Sequence, residues 1–296
     1  AGDGFASISV EDAETLTINA DDDTTDATGS LTIAALTATD ATSLTITGDS
    51  AVTITNTVDP ATPALATLDA SAMTDILTLT GTDFSSSGAT VTFGSANDVF
   101  TVGTMSGADT IDLSKGGNDR IVYTALAQSD QETDTIKGFT SGSDDIDLTG
   151  FTGTDSAAGI DTSTQFAGVH STFALASGAL TATKKVVFQA DSNTLWYDVD
   201  GDEDLDGNDF RVILEGVSTI TAGDLNIATT GVTATSNQAT FNTASKGHFT
   251  EDNALTEAGD TLNTTVAHLA GSTVNGLGGT DTIAVTGSGT FDFSNI

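Results

Sequence analysis

An all-β fold is what this sequence predicts: a parallel β-solenoid or β-roll with Gly-Asp turns and a β cap. Three observations point there. Short apolar-Thr-apolar runs recur through the N-terminal third, Gly is frequent (31) while Pro is scarce (2), and no stretch sustains helical periodicity. A set of β-sandwich modules is the alternative architecture, since its strands carry the same alternation.

The runs begin after Glu14 and include Leu16-Thr-Ile18, Leu31-Thr-Ile33, Leu44-Thr-Ile46, Val52-Thr-Ile54, Leu77-Thr-Leu79 and Val91-Thr-Phe93. Each is period-2 alternation, the mark of a half-buried strand, and most are about 8 to 15 residues apart. Such quasi-repetition suits coils that each bury an apolar face against the next. Pro60 and Pro63 fall together in one inter-strand loop.

The charge is extreme. Asp plus Glu total 42 against 7 Lys plus Arg, a formal net charge of −35 over 296 residues. Nucleic acid and anionic membrane are thereby excluded as partners, because both would be repelled. Carboxylates at this density require a neutralising ion or a high-salt environment. Cysteine is absent, which removes disulfides, zinc–thiolate sites and thiol nucleophiles together. No apolar run approaches the ~20 residues needed to span a bilayer, so no membrane insertion is expected. The chain starts Ala1-Gly-Asp-Gly, without an initiator Met or basic n-region, and reads as a fragment or a mature product.

Between Gly94 and Tyr123 the turns become rich in Gly and Asp: Gly94-Ser-Ala96-Asn-Asp98, Gly107-Ala-Asp109-Thr-Ile111 and Gly116-Gly117-Asn-Asp119-Arg-Ile121. Gly permits a positive-φ turn and exposes carbonyls, Asp adds a charged oxygen, and the apolar residue two positions on starts a core-facing strand. These segments resemble the RTX (repeats-in-toxin) nonapeptide Gly-Gly-x-Gly-x-Asp-x-apolar-x. Gly107, Asp109 and Ile111 match that register, as do Gly117, Asp119 and Ile121, although the leading Gly pair is missing; in the first coil Ala96 replaces a Gly. Gly276-Leu-Gly-Gly279-Thr-Asp281-Thr-Ile283 is the best single copy. Asp134-Thr-Ile-Lys-Gly-Phe139, followed by Asp144-Asp-Ile-Asp-Leu148, is similar to the segment that closes RTX blocks. Val186-Val-Phe-Gln-Ala-Asp191-Ser-Asn-Thr-Leu-Trp196-Tyr197-Asp198 resembles the hairpin of their caps, with Asp191-Ser-Asn-Thr as its turn and the aromatic pair packed on the solenoid end. The resemblance spans about residues 94–227 and again 271–296.

The densest acidic element is Asp198-Val-Asp200-Gly-Asp202-Glu203-Asp204-Leu205-Asp206-Gly207-Asn-Asp209. Counted from Asp198, its aspartates occupy positions 1, 3, 5, 7, 9 and 12, with apolar Leu205 at position 8. That is oxygen-rich spacing for Ca²⁺, which takes six to eight oxygen ligands. Two departures from an EF-hand loop stand out: Glu203 occupies position 6, where Gly makes the bend, and Asp209 is shorter than the usual bidentate Glu. The following Phe210-Arg-Val-Ile-Leu214 is strand-like, so a calcium loop in a β context is expected. The candidate metal residues are therefore Asp98, Gly107, Asp109, Gly117, Asp119, Asp144, Asp198, Asp200, Asp202, Asp204, Asp206, Asp209, Gly279 and Asp281, with Ca²⁺ as the cofactor.

No catalytic constellation is visible. His170, His248 and His268 are scattered, and neither a nucleophile elbow nor a phosphate-binding loop occurs, so the chain is expected not to be an enzyme. Three regions are expected: 1–93, a Thr-rich solenoid; 94–227, the RTX-like region with its Asp-rich cap; and 228–296, a linker and the start of a further RTX-like module. The composition is similar to RTX-type surface-layer proteins. The resemblance implies a secreted, calcium-dependent structural protein of the bacterial cell surface, exported by a type I system and assembling with copies of itself into a layer or filament. A cell-surface polysaccharide is a second partner class. The alternatives are a calcium-stiffened module of a large RTX adhesin and the non-catalytic secretion domain of an exported enzyme.

Overall fold

The computed structural model describes residues 3–10, 12–21, 29–38, 40–55, 65–82, 84–85, 87–103, 107–128, 133–148, 150–151 and 165–225, with five strands beyond residue 226. The chain divides into two compact units, Ala1–Asn226 and Ile227–Ile296.

In the first unit, alternate strands build two sheets. One contains β1 (Asp3–Phe5), β4 (Ser30–Ile33), β7 (Ala51–Ile54), β9 (Leu77–Thr82), β11 (Val99–Val102), β13 (Arg120–Val122) and β15 (Asp145–Asp147). The other contains β3 (Thr15–Ala20), β6 (Ser43–Gly48), β8 (Thr67–Met73), β10 (Thr90–Thr92), β12 (Thr110–Asp112) and β14 (Asp134–Lys137). A short pair, β2 (Ile8–Val10) with β5 (Leu36–Ala38), lies beside them. Every pairing among these strands is parallel. The chain crosses from one sheet to the other and back, advancing one position each time, which is a two-sheeted solenoid. The sandwich alternative fails here, because its sheets would be antiparallel.

The Thr alternation explains the stack. Along each strand one residue in two faces inward, and parallel pairing sets like on like. Ile33, Ile54, Leu79, Phe100, Ile121 and Ile146 form one such column, each opposite the next. Leu44, Leu68, Val91, Ile111 and Ile136 form the facing column, which continues into Leu214. All are almost wholly buried in one continuous core. Each such side chain contributes about 1.5–3 kcal/mol of burial energy, an upper estimate because the unfolded chain is itself partly collapsed.

A cap closes the C-terminal end of the second sheet. It consists of β16 (Phe166–His170), the short helix α1 (Phe173–Ser177), β17 (Val186–Gln189), β18 (Thr194–Tyr197) and β19 (Phe210–Leu214). The β19 strand pairs parallel to β14, β18 is antiparallel to both neighbours, and β16 is parallel to β17. Asn193, at φ 54°, turns the β17–β18 hairpin inside the expected Asp191–Thr194 segment. Tyr197 packs edge-on to Phe151, which in turn meets Phe210, and Tyr123 abuts Phe210; together they plug the core. Trp196 differs from the expected end-packing. Successive strand residues face opposite ways, so Trp196 turns to the outer face, beneath α1 and beside Phe173.

In the second unit, β20 (Thr233–Thr235), β22 (Thr261–Thr265) and β24 (Thr282–Thr286) form one parallel sheet, and β21 (His248–Phe249) pairs parallel with β23 (Thr273–Val274). Two alternating parallel sheets are again the pattern. Pro60, Pro63, the loop around Lys246 and the Gly276–Asp281 turn, with Gly279 and Asp281, lie outside the described residues.

Candidate calcium centres

The Gly-Asp turns sit where the chain enters a strand, and the backbone there tolerates little else. Gly117 has φ 129°, and a Cβ on it would meet the Ala96 carbonyl oxygen at 2.0 Å. Gly107 has φ 99°, and its Cβ would stand 2.5 Å from the Gly88 nitrogen. Only glycine permits both the left-handed turn and this approach to the previous coil.

The aspartates that follow form columns. At one edge Asp98 accepts the Leu77 N–H at 2.7 Å, Asp119 accepts the Asp98 N–H at 2.8 Å, and Asp144 accepts the Asp119 N–H at 2.8 Å. Each carboxylate thus binds the backbone of the coil before it. At the other edge Asp109 does the same for Ala89, and Asp134 for Asp109 at 3.1 Å. All five side chains are buried. The sequence marks these aspartates as ion ligands alone; in the fold their Oδ1 atoms also stitch coil to coil. Asp134 joins the column without being one of the sequence candidates, although Asp134-Thr-Ile136 repeats the spacing of Asp109-Thr-Ile111.

Burial makes these carboxylates reluctant to ionise. It pushes Asp98 up to about 6, against the opposing pull of the Leu77 and Gly94 amides. Asp119 is pushed up to about 7 by burial and then by the charges of Asp98 and Asp144. Asp144 is raised for the same first reason. No lysine or arginine contributes to these three shifts. The nearby Arg120 instead bonds Asp147. Asp119 Oδ2 is buried and has no hydrogen-bond partner among the described residues. A column of stacked carboxylates with a spare buried oxygen, its nearby arginine committed to Asp147, fits a hard divalent cation. Bound there, Ca²⁺ would supply the positive charge, and Asp98, Asp119 and Asp144 are the side chains that would hold it.

The second centre is the loop between β18 and β19. Asp198, fully buried, accepts the Gly201 N–H at 2.7 Å and the Glu203 N–H at 3.2 Å. Asp209 accepts the Val199 N–H at 3.1 Å and the Asp206 N–H at 2.9 Å, closing the loop on its first residues. One carboxylate oxygen each from Asp198, Asp200 and Asp202 lies within 4.8 Å of the others. Burial, then the charges of Asp198 and Asp200, push Asp209 up to about 6. Glu203 makes the bend in place of Gly, at φ 66°, an arrangement that costs on the order of 1–2 kcal/mol for a residue with a Cβ. Asp204 and Asp206 are not part of the cluster of Asp198, Asp200 and Asp202: Asp204 accepts the Ser177 hydroxyl at 2.6 Å, and Asp206 bonds the Asn208 N–H at 2.7 Å, as Asp200 and Asp202 each bond the N–H two residues on. Leu205, at position 8, is buried with Ala176, Leu180, Val187 and Trp196.

One residue left no signal in the sequence. Asp224, buried, accepts the Ser141 hydroxyl at 2.7 Å and the Gly142 and Thr221 N–H groups at 2.6 Å each. It ties the turn before Asp144 to a segment 82 residues away, a distance no local pattern reveals.

A family model described as Peptidase M10 serralysin C terminal matches residues 38–227, which include both columns, the cap and the Asp198–Asp209 loop. The chain belongs to this family of RTX-type domains. No curated protein and no solved structure matches it. Membership establishes the coarse function: a calcium-binding protein, secreted through the type I route. The Asp columns and the Asp198–Asp209 loop lie within the matched residues and would supply oxygen ligands for calcium.

Proposed function

We propose that the chain is a calcium-dependent structural protein of the bacterial cell surface, non-catalytic, which assembles with copies of itself into a layer or filament. The supporting observation is the parallel coil stack itself, in which Asp98, Asp119 and Asp144 each bind the coil before them while Asp119 Oδ2 keeps no hydrogen-bond partner among the described residues. Calcium at the Asp columns neutralises buried charge and stiffens the coils. Folding is then deferred until the chain meets external calcium, since binding energy is folding energy in such sites. Electron microscopy with calcium and after chelation tests this. Ordered assemblies that dissolve in chelator are expected, and a monodisperse monomer in calcium rejects the reading. The family model favours a second reading, the non-catalytic secretion domain of an exported enzyme. That reading requires a catalytic domain in the same polypeptide, and no assembly.

A further inference from the structure

Tyr123 carries an oxygen where packing requires none. It directly follows β13, two residues after Ile121 and on the same core-facing side, and its side chain is wholly buried. Val122 pairs with Thr101 on one side and Asp147 on the other, so Val102 and Leu148 stand level with Tyr123 in the neighbouring coils. Both are buried and apolar. A Phe would place the same ring 4.9 Å from Phe210. Instead a phenol hydroxyl lies in the interior with no hydrogen-bond partner among the described residues. Such a group opposes folding unless something binds it, so its surroundings are informative.

The ring reaches across the core. Phe210, which it meets, opens β19, and Val212 of β19 pairs with Asp134. Tyr123, leaving one sheet, therefore arrives at the entry end of β14 in the other. Asp134 begins that strand, and Asp109, one coil earlier, donates its N–H to the Asp134 carboxylate at 3.1 Å. Both aspartates are buried. Burial first, and then the charges of Asp134 and Asp109, hold the Tyr123 phenol well above its ordinary range, so it stays a neutral O–H. Two carboxylates from one sheet and one phenol from the other are thus brought to the same dry end of the core.

We propose that Tyr123 is an oxygen ligand, supplied from the facing sheet, of a calcium ion held by Asp109 and Asp134. Ca²⁺ takes neutral oxygens beside carboxylates and needs six to eight in all, so a phenol oxygen suits it. The same ion gives the hydroxyl the partner it lacks. Asp98, Asp119 and Asp144 fasten successive coils along one edge. An ion shared by Asp109, Asp134 and Tyr123 instead joins β13 to β12 and β14, and so staples the two sheets together. The inference rests on calcium binding and is independent of self-assembly.

The test uses the full chain, with far-UV circular dichroism as the folding control. Tb³⁺ replaces Ca²⁺ as the first probe, because it luminesces when a nearby aromatic ring passes it energy. Trp196 and Tyr197 adjoin the Asp198–Asp209 loop, so Asp198→Asn/Asp200→Asn is introduced first to remove that loop's ion. In this background, most of the emission excited through tyrosine should be lost on Tyr123→Phe, and likewise on Asp134→Asn. Calorimetric titration with Ca²⁺ is the second readout. In the otherwise unaltered chain, Tyr123→Phe should weaken one class of sites about tenfold. It should leave the calcium dependence of Trp196 fluorescence, which reports the loop, where it was. Melting separates ligation from packing: Tyr123→Phe should melt at or above the parent in chelator and below it in calcium. A Tyr123→Phe chain with the parent's calcium affinity overturns the proposal whatever its emission, and so does an equal melting shift in both conditions. An Asp134→Asn chain that binds calcium as the parent does overturns the site itself.

Discussion

Asp119→Asn should change stability in opposite directions with and without calcium. The amide oxygen can still accept the Asp98 N–H at Oδ1, so the stitch between coils survives while the charge disappears. In chelator, the folded-state pKa of Asp119, about 7, stands above its unfolded value. The carboxyl therefore contributes stability in its protonated form, present in full below pH ~4 and lost as pH rises through about 7. A tenfold change in proton affinity is worth about 1.4 kcal/mol, and solvent screening at the turn reduces the total to about 2 kcal/mol. At pH 8 in chelator the asparagine variant should therefore be the more stable by about 2 kcal/mol, or about 4–8 °C in melting temperature. With calcium present at about a hundred times its dissociation constant, loss of that ligand forfeits up to about 2.7 kcal/mol, and the variant should melt below the parent. Differential scanning calorimetry at pH 5 and pH 8, with calcium and with chelator, reads all four conditions. Equal destabilisation in calcium and in chelator would refute the reasoning, because it would make Asp119 a hydrogen-bonding residue alone.

Other expectations follow from the same geometry. Asp98 and Asp119, raised to about 6 and about 7, make the calcium-free chain more stable at pH 5 than at pH 8, measurable by urea unfolding in chelator. Gly117→Ala places a Cβ against the Ala96 oxygen at 2.0 Å and should cost about 3 kcal/mol or more, read as a lower melting temperature in calcium and chelator alike. Asp224→Ala leaves the Gly142 and Thr221 N–H groups without their acceptor and should cost about 2–4 kcal/mol by the same assay. Trp196, the sole tryptophan, shares a cluster with Leu205 of the Asp198–Asp209 loop, so its fluorescence should shift on calcium addition. Asp200→Asn should move that transition to higher calcium.

Much of the fold was legible. Leu31-Thr-Ile33, Leu44-Thr-Ile46, Val52-Thr-Ile54 and Leu77-Thr-Leu79 all lie in strands, because alternation is a local property. That consecutive strands go to different sheets was not local, and only the parallel pairing distinguishes a solenoid from a sandwich. The opposite facing of Trp196 and Tyr197 depended on which side of β18 the core occupies. In the columns, residue type and spacing marked Asp98, Asp109, Asp119 and Asp144, yet their bonds to the preceding coil span 20 to 25 residues. In the loop, spacing alone could not tell that Asp204 turns to Ser177 while Asp198, Asp200 and Asp202 converge. Glu203 at the bend looked like a flaw, and the backbone takes the left-handed conformation there regardless.

The central claim is that calcium holds the coil stack together by neutralising its buried carboxylates. Far-UV circular dichroism and thermal melting of the chain at pH 8, first in chelator and then after calcium is restored, test it most directly. In chelator the chain should keep a reduced β signal and a low melting temperature, and calcium addition should restore the signal and raise the melting temperature with calcium concentration. Superimposable spectra and equal melting temperatures in chelator and in calcium would contradict it.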